Sequence, residues 1–279
     1  MKFTKMQGCG NDYVYVNGFT EQVDDKSATA IKVSDRHFGI GSDGLVLLCE
    51  SSVADFRMRM FNPDGTEGEM CGNALRSLSK FAYYYGFTKK ENLVMETLGG
   101  LQYVKLHVEN GNVVNITADI GEPRLYSNQV PVNTDKEKFM DSEITILDKS
   151  FRASSLSWGN PHTVIFVEDT DSFDVHKYGK AIEYATDIFP NKTNVTFAEI
   201  IDKNNIKMRE WERGTGETIG CGTGCCSAAV FGFLLGHTGR HVDVHQIGGP
   251  LHVDWDDDNH IRMTGPSHVV YEGVYSYEA

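Results

Sequence analysis

Apolar residues Ala74, Leu75, Leu78, Phe81, Ala82 and Tyr85 recur at three- and four-residue steps. That spacing predicts a helix after Cys71, with its polar side at Arg76, Ser79 and Lys80 and its stop at Gly86. Residues 223–235 are apolar almost all round, which predicts a second helix buried at the centre of its own domain. Strands are read from a period of two or from short apolar runs: Tyr13–Val16, Leu45–Cys49, and Phe56–Phe61, where apolar and basic residues alternate. Residues 27–37 predict a helix, and 93–107 with 112–120 a strand pair turning at Glu109-Asn110-Gly111. The second half gives a strand at Thr163–Val167, a polar helix at 175–187, and strands at 194–201 and 206–211. Three strands, 241–245, 251–255 and 260–264, follow the apolar helix. The polar stretch 124–150 reads as a connection with a strand insertion.

The two halves are copies. Sliding 57–101 onto 207–251, an offset of 150 residues that carries Cys71 onto Cys221, matches twelve of 45 positions without a gap. Among the matches are Met58/Met208, Arg59/Arg209, Glu67/Glu217, Gly72/Gly222, Ser77/Ser227 and Gly86/Gly236. Self-similarity at one fixed offset marks duplicated structure, and this offset suits a duplicated domain. The expected fold class is therefore α+β, with two pseudo-symmetric domains. Each is a curved, mostly antiparallel sheet wrapped around a central apolar helix, with the active site in the cleft between them. The domains are expected at 1–120, with a C-terminal strand over 266–279 available to complete it, and at 121–265.

Composition narrows the function classes. A net charge of −13 and a pI near 5.2 argue against a nucleic-acid or anionic-membrane surface. The longest apolar run, Ala228–Leu235, is far short of the ~18 residues of a membrane helix. The first residues, Met1-Lys2-Phe3-Thr4-Lys5, lack a signal-peptide core, so a cytoplasmic protein is expected. Six cysteines (Cys9, Cys49, Cys71, Cys221, Cys225, Cys226) contain no Cys-x2-Cys pair, and neither disulfides nor a structural zinc are expected.

Cys71 and Cys221 each close a turn and begin a predicted helix. Helix starts carry unpaired N–H groups and partial positive charge, which favour a thiolate and bind an anion such as a carboxylate. Two such starts facing one small anion would place a thiol on either side of it. A cofactor-free racemase needs this arrangement: one thiolate removes a Cα proton while the opposite thiol delivers one, and the helix starts stabilise the developing carbanion. The plainer alternative is that both are packing cysteines, copied by the duplication.

The chain also resembles a known family along nearly its whole length. The motifs are Gly10-Asn11-Asp12, Asp35-Arg36-His37-Phe38-Gly39-Ile40-Gly41, Asn62-Pro63-Asp64-Gly65, Glu69-Met70-Cys71-Gly72-Asn73, Gly159-Asn160-Pro161-His162, Thr193-Asn194-Val195, Trp211-Glu212-Arg213-Gly214, Cys221-Gly222-Thr223-Gly224 and Met263-Thr264-Gly265-Pro266. Together these are similar to the diaminopimelate epimerases, cofactor-independent two-cysteine amino-acid epimerases. The resemblance implies interconversion of LL- and meso-2,6-diaminopimelate by a homodimer, without pyridoxal phosphate or metal and with no nucleic-acid or membrane partner. It makes Cys71 and Cys221 the acid/base thiols, and Gly72, Asn73, Gly222 and Thr223 donors to the reacting carboxylate. It further implies that Asn11, Asn62, Asn160, Asn194, Glu212 and Arg213 hold the substrate, and that His162 and Glu212 adjust the thiols. Two alternatives stand beside it: a racemase of the same fold acting on histidine, proline or glutamate, and a non-catalytic binder of zwitterions.

Overall fold

A computed structural model describes residues Met1–Ser276. The chain forms two compact units, Met1–Asp119 with the segment from Thr264 onward, and Ile120–Met263. The first unit begins with β1 (Lys2–Gly8), β2 (Asn11–Asn17), α1 (Lys26–Ser34), β3 (Leu45–Cys49), β4 (Phe56–Phe61) and β5 (Glu67–Gly68). It continues through α2 (Gly72–Tyr84), β6 (Asn92–Thr97), β7 (Gly100–Glu109) and β8 (Asn112–Gly121). The second unit holds β9 (Ser142–Ile146), β10 (Lys149–Ser157), β11 (Pro161–Phe166), α3 (Val175–Glu183), β12 (Asn194–Ile200) and β13 (Asn205–Glu212). It ends with β14 (Gly216–Thr218), α4 (Gly222–Leu234), β15 (His241–Gln246), β16 (Gly249–Trp255) and β17 (Ile261–Gly265). Strand β18 (His268–Val274) then pairs antiparallel with β1 of the first unit. The last three positions of the strand expected over 266–279 lie outside the described residues.

Within each unit most strand pairs are antiparallel, with two parallel pairs at helical crossovers. In the first, β2 pairs with β3 across α1, and β4 with β6 across α2. In the second, β11 pairs with β12 across α3, and β13 with β15 across α4. A parallel pair needs such a crossover, and the crossover helix covers one sheet face. Both faces of the first unit's central strands are thereby covered. Val14, Val16, Leu45 and Leu47 pack with Ala30 and Val33 of α1, and Tyr15 stacks on Phe81 of α2 from the other side. This is why Tyr13–Val16 and Leu45–Leu48 are unbroken apolar runs rather than alternating ones. In the second unit Ile165, Val195, Phe197 and Trp211 pack with Val175 and Ile182 of α3, while α4 lies against β11, β12, β13, β15 and β16.

The duplication is carried into detail. Helices α2 and α4 have equal length and the same 150-residue offset, and end on left-handed glycines, Gly86 (φ 76°) and Gly236 (φ 77°). Strand β4 pairs Met60 with Gly68 and Phe61 with Glu67, and β13 pairs Glu210 with Thr218 and Trp211 with Glu217. Arg59–Glu67 (2.8 Å) and Arg209–Glu217 (2.7 Å) are equivalent ion pairs across these hairpins.

Two expectations need correction. The strand expected over 93–107 is a hairpin, β6 and β7, because the chain turns at Leu98-Gly99 and Gly100 takes φ 109°, a left-handed conformation open to glycine. The polar side of α2 is not a solvent face. Arg76 and Ser79 are fully buried; Arg76 Nη2 donates to Asn73 Oδ1 (2.8 Å) and Ser79 Oγ to the Leu75 carbonyl (2.9 Å). Lys80 Nζ donates to the carbonyls of Val113 and Ser267. Within 124–150 the expected strand insertion is β9, which pairs with β10 and adds Ile144 and Ile146 to the second core.

If α4 is the centre of its unit, removing a ring from it is costly. Phe231→Ala should destabilise by about 3–5 kcal/mol, read as a lower urea midpoint at unchanged slope. A loss below about 1 kcal/mol would contradict a close-packed site at Phe231.

Candidate functional site

Cys71 and Cys221 occupy the N-cap positions of α2 and α4, in extended backbone (φ −135°, ψ 120° and φ −130°, ψ 111°). Ser, Thr, Asp or Asn at an N-cap would bond the helix's own first N–H groups. Neither cysteine makes a side-chain cap hydrogen bond, although the Gly224 N–H in the first turn of α4 acts on the Cys221 sulfur. Each carbonyl nevertheless accepts the first helical bond, from Leu75 N (2.8 Å) and Cys225 N (3.0 Å). Both helices therefore begin on a residue whose sulfur is left for other partners. All six cysteines are thiols outside any disulfide.

In the first unit, Cys71 Sγ donates to Asn11 Oδ1 (3.3 Å), which also faces Asn73 Nδ2 (3.4 Å). Asn11 Nδ2 donates to Asp43 Oδ2 (2.7 Å), as does the Asp12 N–H (3.0 Å). Arg36 bridges Asp12 (2.8 Å) and Asp43 (2.9 Å), and Lys5 pairs with Asp12. This charged clamp fixes the glycine-rich turn that carries Asn11. Burial pushes the Asp12 carboxyl up, but hydrogen bonds from Arg36 and Lys5 outweigh it and hold it below the ordinary range. Asp43 goes the other way: burial first, then the Asp12 charge, hold it above its usual value. The Tyr13 hydroxyl is pushed well up by burial and then by neighbouring Cys71.

The second unit surrounds its sulfur with different chemistry. Cys221, 8% exposed, faces Thr223 Oγ1 at 3.6 Å, and its N–H donates to Gln246 Oε1 (2.8 Å). Among the described residues, ligand-type atoms of His162, Glu210 and Cys221 lie within 4.8 Å of one another, all buried. Asn194 Nδ2 contacts His162 Nε2 (3.3 Å), and its Oδ1 accepts from the Arg213 N–H (2.8 Å). Glu212 Oε1 accepts from Thr218 Oγ1 (2.6 Å). Burial foremost, then the carboxylates of Glu212 and Glu210, push the Cys221 thiol well above the ordinary range; Thr223 and the Gly224 N–H oppose them.

Of the residues singled out from sequence, Asn11 and Asn73 thus gather at Cys71, while His162, Asn194, Glu212 and Thr223 gather around Cys221. Gly72 and Gly222 open the two helices and are buried. Arg213 is brought in through its backbone, and its side chain donates to the Asn191 carbonyl (2.9 Å). Asn62 bonds locally, with Nδ2 donating to Thr66 Oγ1 (3.0 Å). Asn160 lies in the turn between β10 and β11, its carbonyl accepting from the Trp158 N–H (3.2 Å). Sequence reasoning did not single out Tyr13, Asp43, Gln246 or Glu210. Glu210 alone carried a signal: the buried Ile206 and Met208 set the inward period of β13, and Glu210 is next on it.

A family model described as diaminopimelate epimerase matches residues 3–126 and 154–270. The diaminopimelate epimerase of Methanococcus maripaludis strain S2 is 48% identical over 274 residues, covering 98% of this chain and 99% of that protein. That of Acetivibrio thermocellus is also 48% identical over 274 residues, covering 98% of each. Among solved structures, a phenazine biosynthesis protein of the PhzF family from Bacillus anthracis has a TM-score of 0.73 at 19% identity, covering 98% of both chains. At that identity the likeness is one of fold.

Gly224 gives the site a steric test. A Cβ there would lie 2.7 Å from Glu210 Oε2, a carboxylate pinned by Thr196 Oγ1 at 2.5 Å. Gly224→Ala should therefore destabilise by about 1–2 kcal/mol, overpacking outweighing the helix-propensity gain of about 1 kcal/mol. Adding Glu210→Ser should recover that gain, seen as a non-zero coupling in a double-mutant cycle by urea denaturation; additive effects would refute the contact.

Proposed function

We propose, since the chain belongs to the diaminopimelate epimerase family, that it interconverts LL- and meso-2,6-diaminopimelate by two-base proton transfer at Cα through Cys71 and Cys221. The chain is an isomerase by its relatives. The observation that carries it is the paired N-cap geometry: two cysteines at one repeat offset, each starting a buried helix without capping it.

In this reading one thiolate removes the Cα proton from one face, and the other thiol delivers a proton to the opposite face. Either direction uses the same pair with the roles exchanged, which requires thiols whose affinities for the proton are matched once substrate is bound. The substrate carboxylate meets the helix starts at Gly72-Asn73 and Gly222-Thr223, where N–H groups and the helix dipoles stabilise charge passing from Cα into the carboxylate. Asn11, Asn62, Asn160, Asn194 and Arg213 hold the substrate, chiefly its distal end, and Glu212 takes an ammonium group. His162 and Glu212 adjust the thiols. Binding this doubly zwitterionic molecule calls for both a cation and an anion, which Arg213 and Glu212 supply. A cytoplasmic homodimer working without pyridoxal phosphate or metal completes the proposal.

Proton NMR of the reduced protein in D2O with LL-diaminopimelate tests it, with L-histidine, L-proline and L-glutamate as controls. Loss of the α-proton signal and growth of the meso isomer from diaminopimelate alone are expected. Cys71→Ser and Cys221→Ser should each lower the rate at least a hundredfold, the scale of lost acid/base catalysis. Exchange with another amino acid would replace the substrate, and full activity in either variant would overturn the two-thiol mechanism.

A further inference from the structure

Strand β13 carries a carboxylate where the sister strand carries none. Position 210 corresponds to Met60 in the repeat, and both residues are buried, Glu210 to 1% exposure. A buried carboxylate is costly unless its oxygens are satisfied. Glu210 Oε2 accepts from Thr196 Oγ1 at 2.5 Å, and Gly224 leaves the room a Cβ would fill. Oε1 makes no hydrogen bond and instead lies 3.5 Å from His162 Nδ1, which makes none either. The histidine is wholly buried.

The other side of the imidazole decides where its proton sits. The Arg213 N–H donates to Asn194 Oδ1 (2.8 Å), which fixes the orientation of that amide. Its Nδ2 is consequently turned to His162 Nε2 (3.3 Å). An amide nitrogen only donates, so Nε2 is the acceptor and the proton of the neutral ring belongs on Nδ1, facing Glu210 Oε1. We propose that Glu210 is a positioning residue: its carboxylate holds His162 in the Nδ1–H tautomer, and its charge beside Cys221 keeps that sulfur a thiol in the resting protein. With Nδ1 protonated and Nε2 engaged by Asn194, neither ring nitrogen offers a free lone pair, so the His162–Glu210–Cys221 group is a proton-holding cluster rather than a metal site. The groups acting on the Cys221 sulfur are Glu210 of β13, Glu212 at its end, Thr223 Oγ1 and the Gly224 N–H of α4, with His162 of β11 beside it. Burial and both carboxylates oppose ionisation. Substrate binding would then shift the balance, since an ammonium group taken by Glu212 cancels one of the two charges; this last step rests on the function proposed above.

Neither decisive readout needs substrate or turnover, so failure here is separable from failure of the epimerase reading, which the exchange experiment in D2O decides. Long-range 15N–1H NMR of the reduced, 15N-labelled full chain, with His162 assigned by its loss in His162→Gln, should show the Nδ1–H tautomer. A proton on Nε2 in the wild-type protein overturns the proposal even if no Glu210 variant folds. Glu210→Gln keeps an acceptor for Nδ1–H but removes the charge. It should preserve the tautomer and lower the pH midpoint for iodoacetamide alkylation of Cys221, followed by mass spectrometry, by about one unit, a tenfold gain in thiolate at a given pH below the midpoint. Glu210→Met, the residue of the sister position, should lower the Cys221 midpoint likewise and weaken the tautomer preference, leaving only the Asn194 donation to Nε2 to favour Nδ1–H. An unmoved Cys221 midpoint in folded Glu210→Gln would refute the role of the charge.

Discussion

Each unit depends on one constraint: a thirteen-residue helix is buried so deeply that its position and its first turn are set by the strands around it. Helix α2 buries every residue from Gly72 to Ser79, and α4 buries Gly224 to Gly232 without a break. A helix held this way does not depend on a capping side chain to define its start, because packing supplies the stability that a cap would add. The N-cap position is thereby open to a cysteine, which makes no side-chain cap bond. The preceding hairpins, β4–β5 and β13–β14, deliver that residue in extended conformation, and their equivalent arginine–glutamate pairs tie the two strands of each together.

On this shared scaffold the surroundings of the two sulfurs have diverged. Cys71 meets an amide, Asn11, whose orientation is fixed through Asp43 and the arginine that bridges the acids. Its deeper support is a buried cation, Arg76, holding Asn73. Cys221 meets a hydroxyl, an imidazole and two carboxylates. The Cys71 thiol thus donates to a neutral amide oxygen in one unit, while the Cys221 thiol lies beside negative charge in the other. The asymmetry lies in side chains at equivalent positions, Met60 against Glu210, while the backbone registers coincide.

Much of this was legible in the chain because burial and repetition both leave periodic marks. The apolar spacing of 74–85, the all-round apolar 223–235 and the offset carrying Cys71 onto Cys221 follow from local geometry, and they gave both helices and the strands preceding them. Where a second layer covers a face, the sequence pattern misleads. Arg76 and Ser79 are polar, so they read as a solvent side, yet internal hydrogen bonds satisfy them under the fold. The turn at Leu98-Gly99 was hidden because residues on both sides of it have strand character.

By itself, then, the sequence determined the duplicated α+β plan, the two helix-starting cysteines and the residue types near them, since these depend on spacing along one chain. The tertiary structure decided which atoms meet. Asn194 is turned by the Arg213 backbone nitrogen, and that turn selects the tautomer of a histidine 32 residues away in sequence. Glu210 differs from Glu212 by two positions, but Glu210 lies on the inward register, where it is nine-tenths or more buried, and Glu212 sits at the strand's end beside Thr218. Sequence records that both are acids. Only packing determines which of them lacks water and faces an imidazole, because desolvation and hydrogen-bond direction are properties of neighbours brought together by the fold.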